Sequence, residues 1–295
     1  MLNLRWLLRV FGLVATRRND FNSPLPDVEA LRANRPRWDK PSAMKGVTYS
    51  LPEMRERLEQ MMTDFGSELK DIPSYEKLQN LGLGWGMPYL DLQILYLTMR
   101  SARPARYIEV GSGVSTHIAK MAASRNAAEG HPCEMTCIEP YPSQRLVELG
   151  GVELIVQEAQ DVEPALFDVL QDGDILFIDS SHIVKIDSDV PFLLLEVLPR
   201  LRPGVVVHVH DTPFPHHTPF PADLWIFNSK GSPMFWNEAM LTQAFLCHNE
   251  SWSIKFSAPL LRYHDEPFLR KMVPGYQGVS TQPNTFSSLW LKRLK

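Results

Sequence analysis

The chain reads as an α/β protein built on a mostly parallel sheet, and three observations predict it. The apolar pair Tyr107-Ile108 runs through Glu109-Val110-Gly111-Ser112-Gly113 into residues 114–120, giving a strand, a glycine turn and a helix start in succession. Four further short apolar runs follow at 135–138, 152–156, 174–178 and 205–210, with room between most of them for a helix. The run at 174–178 is apolar almost throughout, as a strand covered on both faces must be.

The first turn narrows the ligand. Glycines let the backbone turn sharply and approach a ligand closely. A dinucleotide fingerprint would place a third glycine where Thr116 stands. Glu109 would also repel a pyrophosphate, so a cationic ligand suits this corner better. The second strand ends in Glu139-Pro140, and an acid there can accept from both hydroxyls of a ribose. The third strand leads to Gln160 and Asp161, either of which could bond an adenine amino group or simply form a polar loop. The fourth runs into Asp179-Ser180-Ser181-His182, and the fifth ends in His208-Val209-His210-Asp211. Open parallel sheets bind ligands outside the carboxyl ends of their strands. Glu109, Glu139, Asp179, His182, His210 and Asp211 all gather at such ends.

From about Tyr89 to Leu246 the chain resembles class I S-adenosylmethionine (SAM)-dependent methyltransferases, and in particular the methyltransferase 24 type. The matching segments are I-E-V-G-S-G-V-S-T, I-E-P-Y-P, D-I-L-F-I-D-S-S-H, L-P-R-L-R-P-G-V-V-V-H-V-H-D and W-N-E-A-M-L, in that order. The resemblance implies a Rossmann-like, seven-stranded, mostly parallel sheet with an antiparallel last strand, plus a helical N-terminal extension. It divides the chain into an N-terminal arm and helices (1–88) and a methyltransferase domain (89–295). It assigns SAM to Glu109, Gly111, Ser112, Gly113, Ser115, Glu139, Gln160, Asp161 and Asp179. The activity implied is methyl transfer to an oxygen, hydroxyl or carboxylate, of a small molecule. A NAD-dependent oxidoreductase and a metal-dependent oxygenase on the same scaffold are the alternatives.

A weaker resemblance, to metal-dependent catechol-type O-methyltransferases, concerns the later strands. It implies a divalent cation, Mg or Fe, on Asp179, His210 and Asp211. His182 stands where those enzymes have a lysine base, and an ordinary histidine titrates near pH ~6.5, so His182 reads as a general base. Asp179, His182 and His210 are thus the catalytic candidates. His208 faces the same side as His210 and reads as a core histidine. His216 and His217 lie in the proline-rich stretch 211–221, either a lid over the acceptor or a stiff surface loop with solvated histidines, the second being preferred. Trp236 reads as a packing anchor, and Glu238 as a helix-start acid within reach of the site.

The flanks are less patterned. Residues 1–14 are apolar but carry Arg5 and Arg9, too short and too charged to span a bilayer. Residues 1–18 admit two readings, an amphipathic helix on a membrane surface or a helix packed on its own domain or on a partner subunit of a homo-oligomer. Residues 19–49 read as an extended arm, 51–69 as a helix, and 85–96 as a lead into the core that roofs the cofactor. Residues 252–256 and 286–294 alternate as strands, with an excursion at 260–285 near the site rim. The 295 residues, 44% hydrophobic with a net charge of −4, suit an enzyme with a full α/β core and do not suggest a nucleic-acid partner. Three cysteines without metal-type spacing suit a reducing, cytoplasmic setting.

Overall fold

A computed structural model describes residues 10, 11, 20, 22–84, 87–228, 232–276, 278 and 286–295. Seven strands form one sheet in the order β3-β2-β1-β4-β5-β7-β6. They are β1 (Arg106–Val110), β2 (Glu134–Ile138), β3 (Glu153–Ile155), β4 (Ile175–Ile178), β5 (Val206–Val209), β6 (Trp252–Ser257) and β7 (Leu289–Arg293). The first five run parallel, and β7 lies antiparallel between β5 and β6. All four residues of β4 are buried, which explains its unbroken apolar sequence.

The chain winds outward in both directions from the β1–β4 junction, so a crevice opens there at the carboxyl ends. Register then decides what lines it. The backbone ladder continues one residue past each strand: Glu139 N donates to Ile155 O, Gly111 N to Ile138 O, Asp179 N to Val110 O and His210 N to Ile178 O, at 2.8–3.0 Å. Glu139, Gly111, Asp179 and His210 therefore stand in one row along the rim.

Helices cover the sheet. On the N-terminal side these are α1 (Val28–Ala33), α2 (Arg35–Trp38), α3 (Leu51–Phe65) and α4 (Tyr89–Ala102). Next come α5 (Val114–Ala128), α6 (Ala222–Trp225), α7 (Glu238–Leu246) and α8 (Ala258–Met272). Serine starts two of them by local chemistry. Ser50 accepts from Glu53 N ahead of α3, and Ser257 accepts from Leu260 N ahead of α8, each with a proline in the first turn.

Three sequence expectations change here. The arm at 19–49 is not wholly extended, because Asp27 caps α1 and Pro36 is accommodated in the first turn of α2. The helix for which the spacing leaves room between 178 and 205 starts only at Asp189 and continues through a π-type stretch, Phe192–Val197, leaving 182–188 irregular. Residues 260–272 of the excursion at 260–285 belong to α8, whose Leu260, Leu261 and Leu269 are buried in the core. The readings for residues 1–18 lie outside the described residues apart from Val10 and Phe11, both exposed. Among the described residues no helix is long and apolar enough to cross a membrane.

Gly111 has φ +77°, and a Cβ there would lie 1.9 Å from the Asp179 carbonyl oxygen. That oxygen is backbone and cannot step aside. Gly111→Ala is expected to cost about 3 kcal/mol or more in urea unfolding, through left-handed strain plus overpacking; an unchanged midpoint would contradict the assigned β1–β4 junction.

Candidate active site

Two adjoining cavities, of about 410 and about 280 Å³, meet at Gly111, Glu139, Tyr141 and Asp179. Glu139 is fixed on their shared wall, since its two carboxylate oxygens accept from Ser112 N (3.0 Å) and Tyr141 N (2.8 Å). Ser112, Gly113 and Ser115 line one cavity and Gln160 the other, where its amide donates to Glu158. Leu83, Gly84 and Met87 flank the glycine turn, which agrees with the roof expected around 85–96; Trp85 itself lies outside the described residues. Asp161 is exposed and lines neither cavity.

Glu109 also lies elsewhere than expected. It is fully buried beneath the turn, where Thr116 Oγ1 donates to it at 2.6 Å and itself accepts from Gly113 N at 3.0 Å. Thr116 thus ties the helix start to the strand at the position where a third glycine was missed. Burial pushes the Glu109 carboxyl up to about 7, against hydrogen bonds from Ser115 and Thr116.

A third cavity, of about 340 Å³, shares Asp179 with the first two. Its floor holds Asp179, His182, His210 and Asp211. His182 Nδ1 lies 2.9 Å from Glu238 Oε2, and its Nε2 lies 3.2 Å from Asp179 Oδ1 and 3.3 Å from Asp211 Oδ2. Burial alone would lower its pKa, yet the bonds to Asp179 and Glu238 and the charge of Asp211 hold it well above the ordinary histidine value. Both ring nitrogens of His182 thus face carboxylates, an arrangement that favours the imidazolium over the neutral ring that a general base requires. The same neighbours act on Asp179, where burial raises the pKa but His210 and His182 bring it below the usual range.

His208 is a core histidine, as expected. It stacks on Phe177 with centroids 4.2 Å apart and abuts Trp290, and burial followed by the charge of His210 keeps it neutral. Its Nε2 is 3.3 Å from His210 Nδ1, leaving His210 Nε2 toward Asp211 at 3.7 Å. A carboxylate oxygen of Asp179, a carboxylate oxygen of Asp211 and a ring nitrogen of His210 lie within 4.8 Å of one another, a grouping able to hold a metal ion. Asp91, deeply buried, accepts from Ser287 N at 3.0 Å, and Ser287 Oγ donates to Asp211 at 2.6 Å. Burial pushes Asp91 up to about 6 against the pull of His210.

The walls of this cavity come from the segment after β5. Pro213, Pro219, Phe220, Trp225, Met234 and Trp236 contribute, and Trp236 packs on His182 with centroids 4.7 Å apart. Trp236 is both anchor and wall. The surface-loop reading of 211–221 is corrected: Thr212, Pro213, Phe214, Pro215 and Pro219 are buried, His216 stacks on Phe220 at 4.2 Å, and His217 bonds Gln243. The N-terminal arm fastens this cap from outside. Arg35 makes a two-pronged bond to Asp223 at 2.8 Å, Trp38 meets Phe227 at 5.9 Å, and Ser42 N donates to Pro215 O at 2.7 Å.

Sequence reasoning did not single out Asp91, Met87, Trp225, Phe286 or Ser287. Asp91 alone carried a signal, as an acid among the apolar residues that open α4. The others are ordinary apolar or small residues that only the tertiary fold brings to the cavity.

Residues 108–212, from β1 to just beyond β5, match the family described as a methyltransferase domain. The matched segment is the one that brings Gly111, Glu139, Asp179 and His210 into one row. No curated protein matches the chain. Among solved structures it is similar to the O-methyltransferase TomG from Streptomyces achromogenes, involved in tomaymycin synthesis and solved with SAM. That match has 16% identity over 84% of this chain and 91% of that one, at TM-score 0.45. It is also similar to an O-methyltransferase from Bacillus cereus solved with SAH (13% identity, 81% and 91% coverage, TM-score 0.42), and to one described as a putative O-methyltransferase from Klebsiella pneumoniae (14%, 80% and 98%, 0.41).

Two outcomes follow from this geometry. Folded Glu109 titrates near about 7 against 4.5 for a free carboxyl, so the native chain holds the extra proton between those values and loses stability as pH rises through them. Glu109→Gln should remove that slope, worth on the order of 3 kcal/mol between pH 4.5 and 7, as measured by urea unfolding across the window. Arg35→Ala should speed amide exchange of residues 222–227 by about tenfold with the glycine-turn amides unchanged, as read by mass spectrometry.

Proposed function

We propose that this protein transfers the methyl group of SAM to an oxygen of a small-molecule acceptor, with a divalent cation on Asp179, His210 and Asp211. The observation that carries the reading is the placement of Asp179. It is common to the cleft lined by Gly111 and Glu139 and to the acid-and-histidine cavity, so two ligands could meet across it. The donor set of the cleft fits SAM: Glu139 retains lone pairs for ribose hydroxyls, Gln160 can reach an adenine edge, and Asp179 places negative charge where a sulfonium would lie.

When bound, SAM supplies a methyl already activated on sulfur. The chain's part is then to align the acceptor, exclude water and set the acceptor's protonation state. The apolar cap formed by Phe220, Trp225 and Trp236 keeps water out. Asp91, Asp179, Asp211 and Glu238 outnumber the single imidazolium of His182, a negative excess that a divalent cation would offset. Such a cation would act as a Lewis acid on the acceptor oxygen. His208 would orient His210 by taking its Nδ1 proton in a hydrogen bond, leaving Nε2 free to ligate. His182, held as imidazolium, spaces the two aspartates instead of moving a proton.

Titration of the full chain with S-adenosylhomocysteine, NADH and Mn²⁺ tests this reading. S-adenosylhomocysteine at a hundredfold its Kd should stabilise the protein by about 2.7 kcal/mol. Asp211→Asn should weaken Mn²⁺ binding, followed by electron paramagnetic resonance, by about a hundredfold while leaving S-adenosylhomocysteine affinity within about twofold. A response to NADH with none to S-adenosylhomocysteine would sink the proposal.

A further inference from the structure

Asp211 has φ +49°, in the left-handed region that residues with a side chain seldom occupy, aspartate and asparagine most readily. Both of its carboxylate oxygens are engaged. Oδ2 lies 3.3 Å from His182 Nε2, and Oδ1 accepts from Ser287 Oγ at 2.6 Å. An O–H···O distance that short belongs to a hydrogen bond on an ionised carboxylate. Extending the β5–β7 register by two residues beyond Val209 and Leu289 sets Ser287 opposite Asp211. Ser287 is itself held through its backbone. Its N donates to Asp91 Oδ2 at 3.0 Å, and its carbonyl accepts from Thr212 N at 2.8 Å. Asp91 is buried to 1% exposure in the first turn of α4. These backbone bonds anchor the segment without the hydroxyl, whose hydrogen bond goes to the Asp211 carboxylate. Ser287 also lines the cavity whose floor holds Asp179, His182, His210 and Asp211.

We infer that Ser287 is a positioning residue of this centre: its hydroxyl holds the Asp211 carboxylate in the orientation in which it joins Asp179 and His210, and Asp91 fixes the serine backbone behind it. The inference rests on the proposed function for the cation that the three residues would hold, whereas the positioning itself does not. A carboxylate turns about two side-chain bonds. Fixing it in advance removes a cost that cation binding would otherwise carry, which is how outer partners of ligating groups raise affinity. Ser287 does this without bringing a positive charge beside the cation, as a lysine or arginine at its place would. The parts come from separate regions, Asp91 on α4, Asp211 after β5 and Ser287 before β7. Asp91 and Ser287 lie outside the matched residues 108–212, so the fastening is a property of the whole chain.

Two measurements on the full chain test this: Mn²⁺ titration followed by electron paramagnetic resonance, and the crystal structure of Ser287→Ala beside that of the wild type. Ser287→Ala is expected to bind Mn²⁺ about tenfold more weakly, with S-adenosylhomocysteine affinity within about twofold of the wild type. Its crystal structure should show the Asp211 carboxylate turned out of hydrogen-bond reach of His182. Ser287→Thr keeps the hydroxyl and should restore Mn²⁺ affinity to within about threefold. If Ser287→Ala does not fold, Ser287→Cys carries the same comparison, since it keeps the size and offers only a weak donor. An Asp211 carboxylate that keeps its place without the hydroxyl, or a Mn²⁺ affinity that does not change, would overturn the inference and leave the methyl-transfer reading standing. A wild-type chain that binds no Mn²⁺, yet whose Asp211 turns when the hydroxyl is removed, would keep the positioning role and remove the cation from the proposed function.

Discussion

The close approach of Gly111 to the Asp179 carbonyl is the constraint from which the rest of the site follows. Only a residue without a side chain lets β1 and β4 come together at their carboxyl ends, where a Cβ would sit 1.9 Å from that oxygen. The approach fixes Asp179 against the glycine turn on one side. On the other, the ladder from Ile178 to His210 N fixes β5. Cofactor cleft and acidic cavity are thereby joined through a single aspartate. Everything downstream, from the His182 cage to the aromatic cap, is referenced to this row of rim residues.

Burial of charge is the second theme, and the molecule handles it in three ways. Glu109 accepts a raised pKa and a hydroxyl donor from Thr116. His182 takes three carboxylates and remains an imidazolium. Arg262 sits between two rings with most of its donor edge unused. The first is structural, the second organises the floor, and the third is offset by two aromatic faces and one carbonyl. The same physical cost, desolvation, is met by neutralisation, by pairing and by aromatic contact.

The floor of the third cavity lies within the matched segment, whereas its apolar walls lie outside it. The family match ends at residue 212, and the cap begins at Pro213. The arm that fastens the cap, through Arg35, Trp38 and Ser42, lies some 70 residues before the match begins, roughly the span from α2 to β1. The matched strands thus present the rim row, while loops and arm shape what lies above it.

The sequence alone determined the five parallel strands, the glycine turn and the metal-type trio Asp179, His210 and Asp211, because each depends on local pattern: apolar runs of strand length, glycine beside an acid, polar residues at strand ends. It also carried the antiparallel pair at the C-terminus. Only the tertiary structure decided protonation and partnership. His182 is caged by carboxylates because Glu238, 56 residues away, reaches the ring nitrogen that Asp179 and Asp211 leave free. Glu109 leaves the ligand wall because Thr116 and the packing of α5 draw it under the turn. Met87, Trp225 and Phe286 meet at one cavity although they lie on separate segments, and no spacing in the chain encodes that meeting. Pattern is local, whereas desolvation and charge depend on whatever the fold brings within a few ångströms.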